Sequence, residues 1–149
     1  TNSIQALNQF QLFINRFPES SKVDTCNLLM DELRQKQEQK AYDNAMLYFK
    51  MEQYKSATTS LANLIKNYPG TKYKEICLLN MVKSSYFYAQ QSFEDKKLDR
   101  FKAAIENYYT FIDAFPQSEH LKEAEKIFEN SQKEIEKLTN SALKKASLN

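Results

Sequence analysis

The residues of this chain whose types suit chemistry are few and scattered. The single histidine, His120, follows Ser118 by two residues. It reads as a solvated side chain at a helix start, without partners at metal-ligand spacing. Cys26 and Cys77 are 51 residues apart, each in an apolar pattern. Two such cysteines make neither a disulfide framework nor a metal site, and both read as small core side chains. The carboxylate pairs Asp31–Glu32 and Glu94–Asp95 are sequence neighbours, which point about 100° apart on a helix and share no site. No His-Glu-x-x-His, Cys-x-x-Cys or Gly-x-Ser-x-Gly run occurs, and one glycine cannot build a phosphate-cradling loop. No catalytic residue, cofactor or metal is expected. What remains is recognition. Tyr86-Phe87-Tyr88 and Tyr108-Tyr109 form an aromatic group. Tyr88 and Tyr108 fit core positions, so Tyr86 and Tyr109 are the ones expected at the surface. Beside Lys83 they would make a contact point for a strand or helix of a protein partner.

The elements that must carry these residues are helices. The 149 residues include one glycine and three prolines, too few for the turns of a β-sandwich or barrel. An apolar fraction of 42%, with 13% aromatics, suffices for a core and excludes wholesale disorder. Net charge is +2, and only the middle third is mildly basic. A nucleic-acid partner needs a strongly basic face, so none is expected. No apolar run approaches the ~20 residues of a membrane span. The chain begins at Thr1 and reads as a processed chain or fragment, with any targeting segment or lipid anchor outside it.

The prolines reveal an internal repeat. Phe17-Pro18-Glu19-Ser20, Tyr68-Pro69-Gly70-Thr71 and Phe115-Pro116-Gln117-Ser118 share one phrase, at spacings of 51 and 47 residues. Four residues before each proline come Ile14, Ile65 and Ile112, and five before come Phe13, Leu64 and Phe111. Eight before come Phe10, Leu61 and Tyr108, twelve before Ala6, Ala57 and Ala104, fifteen before Ser3, Tyr54 and Phe101. These offsets trace one face of a helix. Each proline ends its helix, and the hydroxyl after it suits the start of the next. Ser21-x-x-Asp24 also fits a capping box. The recurring alanine marks a close helix crossing.

The second unit reads Ala45-x-x-Tyr48, Tyr54-x-x-Ala57-x-x-x-Leu61, Leu64 and Pro69. This resembles the tetratricopeptide repeat (TPR), with Ala41 where its first tryptophan would stand. The third unit matches in Phe101, Ala104, Tyr108, Phe111 and Pro116, with Ser85 and Tyr88 in its earlier half. Tyr48 and Tyr54 are six apart but Tyr88 and Phe101 thirteen, which places seven extra residues in a charged loop, Ser92 to Leu98. The expected fold is all-α, a TPR-like α-solenoid of antiparallel helix pairs with one overlong helix and a C-terminal capping helix. Helices are predicted near 3–16, 21–52, 54–67, 72–92, 100–114 and 118–139. They form one domain over 1–139, followed by a frayed or disordered tail, 140–149. The long segment 21–52 is read as one helix, or two kinked near Gln37 to Lys40. Its inward stripe is Val23, Cys26, Met30, Leu33, Gln37, Ala41, Ala45 and Tyr48.

Three features together resemble one family. Phe13-Ile14-Asn15-Arg16-Phe17-Pro18-Glu19-Ser20 recurs as Phe111-Ile112-Asp113-Ala114-Phe115-Pro116-Gln117-Ser118. The overlong helix carries Leu33-Arg34-x-Lys36 and Lys40-Ala41-Tyr42-x-x-Ala45-x-x-Tyr48. Tyr54-Lys55-x-Ala57 leads to Lys66-Asn67-Tyr68-Pro69-Gly70-Thr71. The chain is similar to the outer-membrane assembly lipoproteins of the BamD family, in the Bacteroidetes-like style, over residues 1 to about 139. The resemblance implies a non-enzymatic scaffold at the periplasmic face of the outer membrane, lipid-anchored through a segment outside this chain. It would belong to the β-barrel assembly machinery and bind BamA-like periplasmic domains of the barrel subunit. In that family an arginine on the second helix of the equivalent middle repeat makes this contact. Ser60 holds its place here, and Lys55 is the nearby cation that could substitute. The partner-binding set is therefore Lys55, Ser60, Lys83, Tyr86 and Tyr109. The alternative is a TPR interaction module of another complex, a co-chaperone or regulatory scaffold. The uncovered apolar face of helix 3–16 further suggests self-association.

Overall fold

The computed structural model describes residues 2–147. It contains six helices, α1 (Asn2–Arg16), α2 (Val23–Lys50), α3 (Tyr54–Asn67), α4 (Lys74–Gln90), α5 (Glu94–Ala114) and α6 (Leu121–Ser147). There is no strand among the described residues, and the fold is all-α and TPR-like. The chain divides into two compact units, 1–43 and 44–149, with the division inside α2.

The three proline phrases fold alike. The amides of Phe17, Tyr68 and Phe115 each close a last helical bond, to Phe13, Leu64 and Phe111 at 2.9, 2.8 and 2.9 Å. The amides of Ser20, Thr71 and Ser118 then return to the carbonyls of Phe17, Tyr68 and Phe115. The side-chain hydroxyls of Ser20, Thr71 and Ser118 accept from the amides of Lys22, Tyr73 and His120 at 3.3, 3.2 and 3.1 Å. Each hydroxyl thus satisfies a donor just ahead of the next helix. In the first phrase that role falls to Ser20 rather than to Ser21.

In the unit 1–43, Cys26 and Met30 are buried, while α1 buries no residue completely. Ile4, Leu12, Phe17 and Leu28 are exposed. Phe13 and Phe17 lean together at 5.4 Å, with the Arg16 guanidinium over the Phe17 ring. Helix α2 is continuous for 28 residues, about 42 Å. Nothing interrupts it at Gln37 to Lys40, and Gln39 bonds Asp43 one turn on, at 2.9 Å. It ends two residues before the expected Glu52. Glu52 takes a left-handed φ of 58°. Its amide donates to Phe49 and that of Gln53 to Tyr48, both at 3.0 Å, the paired bonds of a Schellman cap. Of the expected inward stripe, Ala45 is buried but Tyr48 is exposed.

The unit 44–149 holds the main core. Leu78, Leu79, Val82, Tyr108, Phe111 and Ala124 form its centre. Helix α3 packs on α4, α4 on α5, and α5 on α6, and α4 also meets α6. Helix α4 is covered on several sides, so buried residues run almost around it, Asn80, Ser84 and Ser85 included. Ala57 and Ala104, at the recurring small position, are fully buried. Phe49, Tyr54 and Phe87 join the end of α2 to α3 and α4, with ring centroids 5.1 to 6.5 Å apart.

Two further regions differ from the sequence expectation. The charged loop Ser92 to Leu98 is mostly helix, because α5 starts at Glu94. Glu94 and Asp95 sit in its first turn, where the helix dipole favours carboxylates. Lys97 pairs with Glu94 at 2.7 Å, and neither glycine nor proline interrupts the segment. Five of the seven extra residues, Glu94 to Leu98, therefore lengthen α5 instead of forming a loop. The segment 140–149 was expected to fray. Helix α6 continues through Ser147, with residues 140–147 all exposed, and the last two residues of the segment lie outside the described ones.

Candidate functional site

The five residues singled out from the sequence do not form one site. Lys83 and Tyr86 lie on α4, on the side that meets α6. Lys83 is engaged, its ammonium 2.6 Å from the Glu123 carboxylate and 6.0 Å from the Phe49 ring centroid. Tyr86 is half-buried, packed on Phe87 and Phe101 at 5.7 and 5.8 Å. Its hydroxyl accepts a bond from Gln90 at 2.9 Å. Burial pushes this phenol above its usual pKa, and the Glu134 carboxylate adds to the shift against the opposing Lys137 and Gln90. Tyr109 on α5 is 48% exposed, its ring 5.6 Å from both Tyr108 and Phe128. Tyr108 stacks on Phe128 at 4.5 Å. These rings are chiefly the seam between α4, α5 and α6. Ser60 on α3 is half-buried.

Lys55 lies elsewhere, at a cleft of about 180 Å³ formed by α3, α4 and α5. Helix α3 contributes Lys55, Thr58 and Thr59, α4 contributes Ser85 and Tyr88, and α5 contributes Arg100, Ala103 and Asn107. The Arg100 guanidinium stands 4.1 Å from the Tyr88 ring centroid and donates to the Ser92 hydroxyl at 2.6 Å, so it is held from two sides. The Asn107 amide donates to the Ser85 hydroxyl at 3.1 Å, and Ser85 donates to main-chain carbonyls of its own helix. Thr58 and Thr59 donate to the carbonyls of Tyr54 and Lys55. The Thr58, Thr59 and Ser85 hydroxyls have thus spent their protons inside the helices and offer lone pairs to the cleft. Two cations flank them, and no carboxylate lines the walls.

The repeat pattern assigns Tyr88 and Ser85 to consensus positions and puts Arg100 at the first residue of the helix expected over 100–114. The interval from Tyr88 to Phe101 carried the missing signal. Its added residues are compatible with a longer α5, in which Arg100, one turn before the recurring Ala104, lies inside the helix rather than at its first residue and stands over Tyr88.

Residues 1–97 match the sequence profile of the YfiO family, outer membrane lipoprotein. The chain belongs to the YfiO family. No curated protein matches it. The span matched to YfiO takes in α1 through α4 and the start of α5, and so includes Lys55, Ser60, Lys83 and Tyr86. In this YfiO chain no described helix is long and apolar enough to cross a membrane. No group of three or more His, Cys, Asp or Glu suited to a metal occurs among the described residues. His120 sits 3.7 Å from the neighbouring Glu119 carboxylate, and both cysteines are buried.

Proposed function

We propose that this protein is a non-enzymatic scaffold subunit of the outer-membrane β-barrel assembly machinery, of the BamD type and Bacteroidetes-like. It acts at the periplasmic face of the outer membrane, lipid-anchored through a segment outside this chain, and binds the periplasmic domains of the barrel subunit. Membership of an outer membrane lipoprotein family over residues 1–97 carries this reading. The TPR-like packing supports it, because helices stacked on successive neighbours present a fixed side-chain surface without rearrangement. Ser60 stands where the resemblance would place an arginine, so the partner contact must differ, and Lys55 is the nearby cation that could substitute.

The test is binding of the 149-residue chain to the isolated periplasmic domains of the same organism's barrel subunit. Saturable binding is expected. A helical, folded chain that shows none would sink the reading.

A further inference from the structure

The cleft between α3, α4 and α5 has a charge pattern that specifies its occupant. Lys55 approaches from α3 and Arg100 from α5. Neither has an ion-pair partner among the described residues. Arg100 is pre-set by the Tyr88 face and the Ser92 hydroxyl, which lowers the ordering cost of using it. A guanidinium fixed in this way suits a carboxylate, which it binds with paired N–H groups. The floor is different. Asn107 uses one of its two amide N–H groups on Ser85 and keeps its side-chain carbonyl as an acceptor, and Thr58 likewise offers lone pairs. Acceptors beside two cations complement a group that carries a carboxylate and N–H donors together. A peptide segment with an acidic side chain has both, whereas inorganic phosphate or a phosphatidylglycerol headgroup brings no N–H.

We propose that this cleft receives the carboxylate of an acidic side chain on an extended segment of a protein partner, held by Lys55 and Arg100 while Asn107 accepts from the segment's backbone. The proposal rests on the scaffold reading only for the identity of the natural partner.

The probe is a terminally blocked heptapeptide with a central glutamate, titrated into the 149-residue chain and followed by amide NMR. Shifts are expected at Thr58, Ser85, Ala103 and Asn107. The glutamine counterpart should bind about tenfold more weakly, since a charge-assisted bond is lost, a difference of ~1.4 kcal/mol. Lys55→Gln and Arg100→Gln should each weaken the glutamate peptide severalfold. Lys55 is exposed, so its variant decides the matter even if Arg100→Gln disturbs α5. Equal binding of the glutamine peptide, shifts confined to other helices, or unchanged affinity of Lys55→Gln would overturn the proposal. So would inorganic phosphate or phosphatidylglycerol vesicles moving the same amides more strongly than the peptide. The two readings separate cleanly. Peptide binding without binding to the barrel subunit's domains removes the scaffold reading alone. Barrel-subunit binding unaffected by both variants, with no peptide binding, removes the cleft proposal alone.

Discussion

Glu52 is the one non-glycine residue with a positive φ, 58°, among the described residues. It closes α2 with two reciprocal cap bonds, a place that glycine fills without Cβ strain. Glu52→Gly is expected to raise stability by about 0.5–1 kcal/mol, read from chemical denaturation. A loss of stability would mean that the Glu52 side chain contributes more than its backbone costs. The tyrosines make a second prediction at this scale. Tyr54, Tyr86 and Tyr108 all have phenols raised from the usual 10.0, with burial the leading cause in each. The folded state therefore keeps these protons longer than the unfolded state does. Their contribution is complete below pH 10 and is lost as pH climbs through the raised values. Alkaline unfolding should accordingly begin above pH 10, and Tyr86→Phe should make the fall of stability with pH less steep. An unchanged slope in that variant would show that the Tyr86 proton takes no part.

Among the elements, the repeat offset is the same in each unit but the packing is not. Phe13 and Phe111 both stand five residues before their prolines. Phe111 is fully buried in the main core, while Phe13 is half-buried on a helix that buries nothing completely. Phe111→Ala should cost about 3–5 kcal/mol, and Phe13→Ala about 1 kcal/mol or less, in denaturant titrations of the two variants. Equal costs would contradict this difference in packing. The proline phrases were legible because three local features coincide at each: an aromatic, a ring without N–H, and a hydroxyl that bonds two residues ahead. Ala57 and Ala104 were legible for a related reason, since a small side chain at a fixed offset reports a close crossing. The start of α5 was not legible, because charge density at Glu94 to Lys97 fits a loop and a helix first turn alike. The end of α2 was missed by two residues, because its left-handed cap residue is glutamate and gives no glycine signal. Lys83 looked like a free cation because Glu123, its partner, is 40 residues away in sequence. The cleft escaped for the same reason. Its cations come from different helices, Lys55 from α3 and Arg100 from α5, 45 residues apart in sequence.

At the scale of the molecule, the two units differ in how much apolar surface they hide. The unit 1–43 leaves Ile4, Leu12, Phe17, Leu28 and Leu29 exposed, and grouped exposed apolar residues promote association. Self-association through α1 is the expected outcome, seen as a concentration-dependent sedimentation coefficient that Leu12→Glu reduces. A monomer at all concentrations would count against it.

The pairwise order of packing in the unit 44–149 has a kinetic corollary. Helix α3 rests on α4, α4 on α5 and α5 on α6, so most tertiary partners are close along the chain. Little loop-closure entropy has to be spent before contacts form, and helical chains with such low contact order fold in microseconds to milliseconds. Stopped-flow refolding of this protein should accordingly place the burial of Phe101 and Phe111 within or near the dead time of the instrument.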